Sequence, residues 1–241
     1  MAKRTANRGS SRPVRLSANR LRKGWPGPAG TQVRLATAAD TDTIDTLLDM
    51  AGVRLIPSLR SALEQGTAGA ALLNGLDSTT KTFFEDFAHR TIGHSLADSI
   101  ASVSLTLVAA DEQHRPIGAL CVTAPKTIIE QALEHRYHME ALTLSVIIGK
   151  VHGLAVTEEA RGQGLASFLL KRAWQVYDQL DYFLLYGSFE TDRKLSAFYK
   201  GCGYTVHAPG KGLLLERIGL PLEIHARPDQ CLFSRWRPLL A

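Results

Sequence analysis

From residue 31 onward the chain alternates between two hydrophobic periods, and each change of period marks a new element. Gln32 to Ala36 reads as a short strand. After Thr37-Ala38-Ala39-Asp40, the positions Ile44, Leu47, Leu48 and Ala51 recur at helical spacing, with Asp40 or Thr41 placed to cap the helix and Gly52 to close it. Pro57, Gly66, Gly69 and Gly75 interrupt two short helical patterns, which predicts helix, loop, helix between 53 and 80. Phe83, Phe84, Phe87, Ile92 and Leu96 then predict one longer helix ending before Ser99.

The period shortens to two at Val103, Leu105, Leu107 and Ala109, which alternate with Ser and Thr as in a half-buried strand. A polar turn, Asp111 to Pro116, leads to a second strand from Ile117 to Thr123, and the two predict a hairpin. Ile128 to Tyr137 reads as helix, and Leu142 to Ile148 as an added strand or the run-up to the next one. Val151 to Val156 is an apolar strand followed by a glycine-rich turn and a helix from about Gly164 to Gln179, with Leu165, Phe168, Leu169, Ala173, Val176 and Leu180 as its inward stripe. Tyr182 to Phe189 is a continuously apolar strand, as expected of one buried on both faces. Asp192 to Lys200 predicts a helix, and Leu213 to Leu215 with Leu232 to Trp236 a final strand pair. An antiparallel hairpin followed by strand, helix, strand, helix predicts an α+β fold of three layers, a mixed sheet with helices on its faces.

Charge changes this picture at one end only. The chain has 241 residues and a formal net charge of +5. Nine of its 28 Lys and Arg precede the first acid, Asp40, so the remaining nineteen face 23 acids and the body carries −4. The basicity belongs to the N-terminus, which predicts a basic, flexible arm and linker over residues 1–30, ending at Trp25-Pro26-Gly27-Pro28-Ala29-Gly30, and one domain over 31–241. Such an arm has three readings: a solubilising extension, a contact for nucleic acid or another polyanion through residues 1–24, or a transit peptide. No run of about 18 apolar residues offers a membrane span. Three cysteines far apart, Cys121, Cys202 and Cys231, suit reduced thiols, and the expectation is a soluble, cytoplasmic protein.

The chemistry concentrates at Val151 to Ala166. A strand runs into a turn whose glycines, Gly162 and Gly164, let backbone N–H groups approach a ligand, and the helix that starts there offers unsatisfied donors and a positive dipole end. That suits a phosphate or pyrophosphate. The glycine spacing fits neither a dinucleotide fingerprint nor a P-loop.

Leu154-Ala155-Val156 followed by Arg161-Gly162-Gln163-Gly164-Leu165-Ala166 resembles the acetyl-CoA signature of the GNAT N-acetyltransferase superfamily. A second stretch, Ala197-Phe198-Tyr199-Lys200-Gly201-Cys202-Gly203-Tyr204, is similar to the element that closes the same fold. The resemblance covers about residues 102 to 206 and implies a mostly antiparallel mixed sheet with a V-shaped splay between the strands at Val156 and Tyr182. It also implies acetyl-CoA as cosubstrate, with Leu154 to Val156 orienting the acetyl-pantetheine and the amides from Arg161 to Ala166 holding the pyrophosphate. By the same analogy Tyr199 protonates the leaving thiolate. His152 matches one of two strand histidines assigned to proton removal in arylalkylamine acetyltransferases, while Lys150 stands at the other. Period-two geometry puts His152 on the face of Leu154 and Val156. Relatives often place a coenzyme-contacting Asn where this chain has Asp192, an acid that can cap a helix but cannot donate.

The expected activity is direct attack of a primary amine on acetyl-CoA, the amine belonging to a small molecule, a lysine side chain or an N-terminus. Two rivals stay open: acetylation of an amine carried on RNA such as aminoacyl-tRNA, and an acyl-CoA-binding sensor without turnover. The resemblance implies an acceptor pocket built from residues 50 to 97, 124 to 148 and 205 to 235, and a body of −4 leans toward a cationic acceptor. Other residues read blandly: Glu158 and Glu159 as solvated, His135 and His138 as too few ligands for a metal, and Cys202 as a small residue before Gly203 with no covalent role. Oligomeric state, including a dimer, is not readable.

Overall fold

The computed structural model describes residues 15–238. The arm before residue 15, with its polyanion contact, lies outside them. The rest of that arm belongs to the body. Ser17 accepts the Arg20 amide at 3.2 Å and starts α1 (Ala18–Lys23), and β1 (Trp25–Pro26) pairs antiparallel with β2 (Gln32–Leu35). Leu16, Ala18, Leu21 and Trp25 are all buried. Gln179 clasps the Leu16 backbone, accepting its N–H at 2.7 Å and donating to its carbonyl at 2.9 Å. The boundary expected at residue 30 is thus corrected: the packed body has begun by Leu16. Charge counting hid this, because three large apolar side chains on one side suffice to dock a segment whose arginines stay in water.

After the Thr37–Asp40 turn, α2 (Thr41–Met50), α3 (Pro57–Glu64) and α4 (Ala70–Asp77) appear in the places predicted. Asp40 does not cap α2. Its carboxylate instead accepts Thr37 N–H at 2.7 Å and both Arg34 guanidinium nitrogens, at 2.6 and 2.9 Å. Burial alone would raise this carboxyl's pKa, but those donors outweigh it and hold the group below the usual range.

The helix expected over 83–96 is two. Gly93 ends α5 (Thr80–Gly93), and Ser95 caps α6 (Leu96–Ser102) by accepting Asp98 N–H at 3.1 Å. The turn between them leaves Ile92 85% exposed and Leu96 41% exposed, against their expected inward position.

The predicted hairpin is β3 (Leu105–Ala110) with β4 (Pro116–Thr123). It is buried on both faces, not one. Ser104 and Thr106 are buried too, their hydroxyls meeting Ile100 O at 2.8 Å and Cys121 Sγ at 3.7 Å. Beyond α7 (Lys126–Glu134), the segment expected over 142–148 as an added strand or the run-up to the next one is the end of α8 (His138–Ile147), which passes without a loop into β5 (Ile148–Val156). A short buried apolar run has no period that separates the two states, and packing of α8 on α7 decided for helix.

The remaining elements are α9 (Leu165–Gln179), β6 (Leu184–Glu190), α10 (Ser196–Gly201), β7 (Thr205–Val206), β8 (Leu213–Leu214), β9 (Glu223–Ile224) and β10 (Gln230–Trp236). The predicted pair of 213–215 with 232–236 is corrected: β8 pairs with β9, while β10 lies between β6 and β7. The main sheet runs β1-β2-β3-β4-β5-β6-β10-β7 and is antiparallel at every step except β5 with β6. On one face α9 covers β3 to β5 in a large core; on the other, Ile44, Leu47, Leu48, Leu55 and Leu59 of α2, α3 and their connection cover Val108, Ala119, Cys121 and Ala155. This is the three-layer, mostly antiparallel arrangement expected. Among the described residues no helix is long and apolar enough to cross a membrane.

Candidate active site

The site begins where β5 and β6 part. Their parallel register runs from Ile148 opposite Leu184 to Val151 opposite Gly187 and stops there, although β5 continues to Val156 and β6 to Glu190. Each strand keeps its outer neighbour, β4 pairing to Val156 and β10 to Glu190. The sheet is therefore split into a V between two well-held edges.

A bulge lies where the V opens, just past its closed end. Cys121 pairs with Gly153 and Val122 with Val151, so His152 has no partner on β4. The extra residue changes the alternation of side chains. Leu154 and Val156 pack with the α9 core, whereas a Cβ on Gly153 would meet Leu48 and Val53 and Ala155 packs with α2. His152 goes to the α2 side as well, its Nε2 lying 2.7 Å from the carbonyl oxygen of Arg54. The face expected for His152 from simple alternation is corrected by this bulge.

After β5 the chain is pinned by Thr157 N–H donating to Ile117 O at 2.9 Å and by buried Ala160. Gly162 and Gly164 have φ of +77° and +82°, a region open to glycine at little cost. Gly164 precedes α9 without any side-chain cap, leaving the amides of its first turn for a ligand. Glu158 and Glu159 are exposed, as expected, and Glu158 Oε1 lies 3.3 Å from Arg161 Nη1.

A cavity of about 460 Å³ runs from this loop through the V. Of the residues singled out in the sequence it brings together Leu154, Ala155, Val156, Arg161, Gly162, Gly164, Leu165, Ala166 and Tyr199. Gln163 is not among them, its amide turning back to donate to Glu159 O at 3.0 Å. Asp192 is exposed and outside the lining, whereas its neighbour Arg193 lines the cavity. The helix expected from Asp192 opens as a tight turn, Thr191–Arg193, and Lys194 at φ +53° redirects the chain into α10. Sequence reasoning missed Arg193, Ser167, Phe198 and the end of α2 at Met50 and Ala51. Only the motif's own register could have suggested Arg193.

Tyr199 sits at the inner end of the cavity on α10, 6% exposed. Its ring stacks on Phe233 with centroids 3.7 Å apart and 14° between planes, and on Phe189 at 5.4 Å. Phe233 fits because residue 187 is glycine: a Cβ there would fall 2.4 Å from its ring. Burial, with a smaller push from Cys202, raises the phenol above its ordinary value, so it keeps its proton at working pH. His152 shifts the other way. Burial lowers it and the Lys150 charge adds to that, while the Arg54 carbonyl pulls it up by less. Since a carbonyl only accepts, Nε2 carries the hydrogen and Nδ1 of the neutral ring holds the free lone pair.

These features fit an anionic, elongated thioester. Backbone amides and the Arg161 guanidinium belong to the loop, the Arg193 guanidinium lies beside Gly52 with its Nε 3.8 Å from Glu190, and apolar Leu154, Val156 and Leu165 share the lining with the Tyr199 proton donor. Among the described residues no three His, Cys, Asp or Glu side chains converge as a metal site would need.

Among curated proteins none matches the chain. Of solved structures, the chain is similar to a GNAT superfamily phosphinothricin acetyltransferase from Sinorhizobium meliloti in complex with acetyl-CoA, at 15% identity over 86% of this chain and 88% of that one, TM-score 0.45. It is similar also to an acetyltransferase of the GNAT family from Staphylococcus aureus Mu50, at 7% identity over 86% and 98% of the two chains, TM-score 0.45. Residues 102–206 match the family described as acetyltransferase (GNAT) domain, which spans the V, the glycine loop and Tyr199. That matched segment, with the split sheet it contains, is what makes the chain similar to the GNAT acetyltransferases.

Proposed function

We propose that the protein is an acetyl-CoA-dependent N-acetyltransferase that moves an acetyl group to a primary amine by direct attack. The observation that supports it best is the cavity itself, which joins an uncapped helix start to a buried, protonated tyrosine through the gap in the sheet. In this reading the first-turn amides of α9, with Arg161, hold the coenzyme's phosphates. Backbone groups of Leu154 to Val156, free of β6, bind the pantetheine and polarise the thioester carbonyl. Acetyl transfer then requires two proton movements. Nδ1 of His152 takes the proton from the attacking ammonium, from the face opposite α9, and Tyr199 gives its proton to the departing thiolate.

The test is release of free thiol from acetyl-CoA with a panel of small amines, peptides and aminoacyl-tRNA. Turnover that requires Tyr199 supports the reading. Tight binding of acetyl-CoA with no thiol released by any amine identifies a sensor instead.

A further inference from the structure

Lys150 plays no part in the scheme above, yet it stands at the closed end of the V. It pairs with Thr123 on β4 and with Tyr186 on β6, one residue before the parallel register ends. Its neighbours Val151 and Val122, paired with each other, both pack in the α9 core. Lys150 therefore occupies the opposite face, the one that His152 also occupies. Two residues beyond Tyr186 on that same face, Ser188 is exposed, so the face opens to solvent beside the V.

The ammonium there lacks a counter-charge. Among the described residues the lysines with a carboxylate within 4 Å are Lys81 and Lys126, and Lys150 is not one of them. Its charge acts on the neutral His152 ring, its partner on β6 is the buried Tyr186 phenol, and Arg54 contributes its carbonyl to the histidine. Burial pulls the ammonium below its ordinary value. A mostly buried, unpaired cation is costly, and a ligand that brings an anion relieves the cost. In the scheme above the acceptor gives its proton to His152 on this face, which brings the acceptor's neighbouring groups within reach of Lys150, two residues away on the same strand.

We infer that the acceptor is a small amine bearing a carboxylate close to its amino group, as an amino acid does, and that Lys150 binds the carboxylate. This rests on the acetyltransferase reading above. It reverses the lean toward a cationic acceptor drawn from the body's −4, because the local charge of Lys150 outweighs a distant sum.

The experiment compares matched acceptors that differ only in that group: amino acids of aliphatic, aromatic and polar type against their amides and decarboxylated amines. Thiol release gives kcat and KM for each. The wild type is expected to favour the acid member of at least one pair. Lys150→Met is expected to cut the acid-to-amide ratio of kcat/KM roughly 10- to 100-fold, chiefly through KM, with Lys150→Arg restoring part of it. Turnover of amides and amines with no preference for any acid, or a preference that Lys150→Met leaves intact, overturns the inference while leaving the acetyltransferase reading standing. No turnover with any member of any pair overturns the inference, and the acetyltransferase reading falls with it only if peptides and aminoacyl-tRNA release no thiol either.

Discussion

His152 Nε2 lies 2.7 Å from the carbonyl oxygen of Arg54, 98 residues earlier in the chain. This one bond ties the bulge on β5 to the α2–α3 connection and fixes which ring nitrogen is free. Because the ring is held neutral by burial, its base form persists below the ordinary histidine range. The acidic limb of kcat/KM for an amine acceptor, at saturating acetyl-CoA, is therefore expected below about 6.5. His152→Gln is expected to lower kcat/KM by about 10²-fold and remove the limb. The sign for stability follows from the same shift. An unfolded chain binds this proton more readily, so wild-type stability falls as pH drops below about 6.5, and the glutamine variant loses less over that window. A limb at or above 6.5, or a variant with the wild-type profile, would count against His152 as base.

Tyr199→Phe keeps the ring that stacks on Phe233 and removes only the hydroxyl. The expected outcome is a fall in kcat of about 10²-fold with KM for acetyl-CoA little changed and melting temperature near wild type. Stopped-flow and steady-state thiol assays measure it. Wild-type kcat in this variant would assign the thiolate's proton to water.

Gly187→Ala tests how that tyrosine is placed. A Cβ 2.4 Å from the Phe233 ring cannot be accommodated without moving the ring on which Tyr199 lies. Overpacking is expected to cost about 1–3 kcal/mol in denaturant unfolding, and kcat to fall with it. Destabilisation with full kcat in the surviving folded enzyme would show that the stack does not set the position of the phenol.

Gly164→Ala acts at the other end. With φ at +82° an alanine pays a backbone cost of about 1–2 kcal/mol, although no heavy atom nearer than 3.9 Å obstructs its methyl. The prediction is a several-fold rise in KM for acetyl-CoA, read by titration of binding, with kcat at saturation little altered. An unchanged KM would mean that the first-turn amides do not hold the coenzyme.

Trp25→Ala asks whether the N-terminal segment belongs to the body. Trp25 is 4% exposed, paired through Val33 and covered by the Arg172 guanidinium at 4.8 Å from its ring centre. Loss of about 3–5 kcal/mol is expected in urea unfolding. A cost below about 0.5 kcal/mol would return the segment to the status of an appended arm.

By itself the sequence determined much of the coenzyme end of the site. Val151 to Ala166 is a local motif in which strand, glycine turn and helix follow one another, so adjacency in the chain is adjacency in space, and the two glycines stand at positive φ. The strands and helices with a clear period, from α2 through β3 and β4 to α9 and β6, were equally legible, since period reports which face is buried. The tertiary structure decided what adjacency cannot. It made Ser104 and Thr106 core residues, their hydroxyls meeting Ile100 O of α6 and Cys121 Sγ of β4, and it turned 138–147 into helix by packing it on α7. It inserted β10 between β6 and β7 and set Phe233 beneath Tyr199, a contact across more than thirty residues. Above all, one unpaired residue in the β4–β5 ladder reversed the expected face of His152 and placed it beside Lys150. A bulge is a property of two strands in register, so neither strand's sequence alone discloses it.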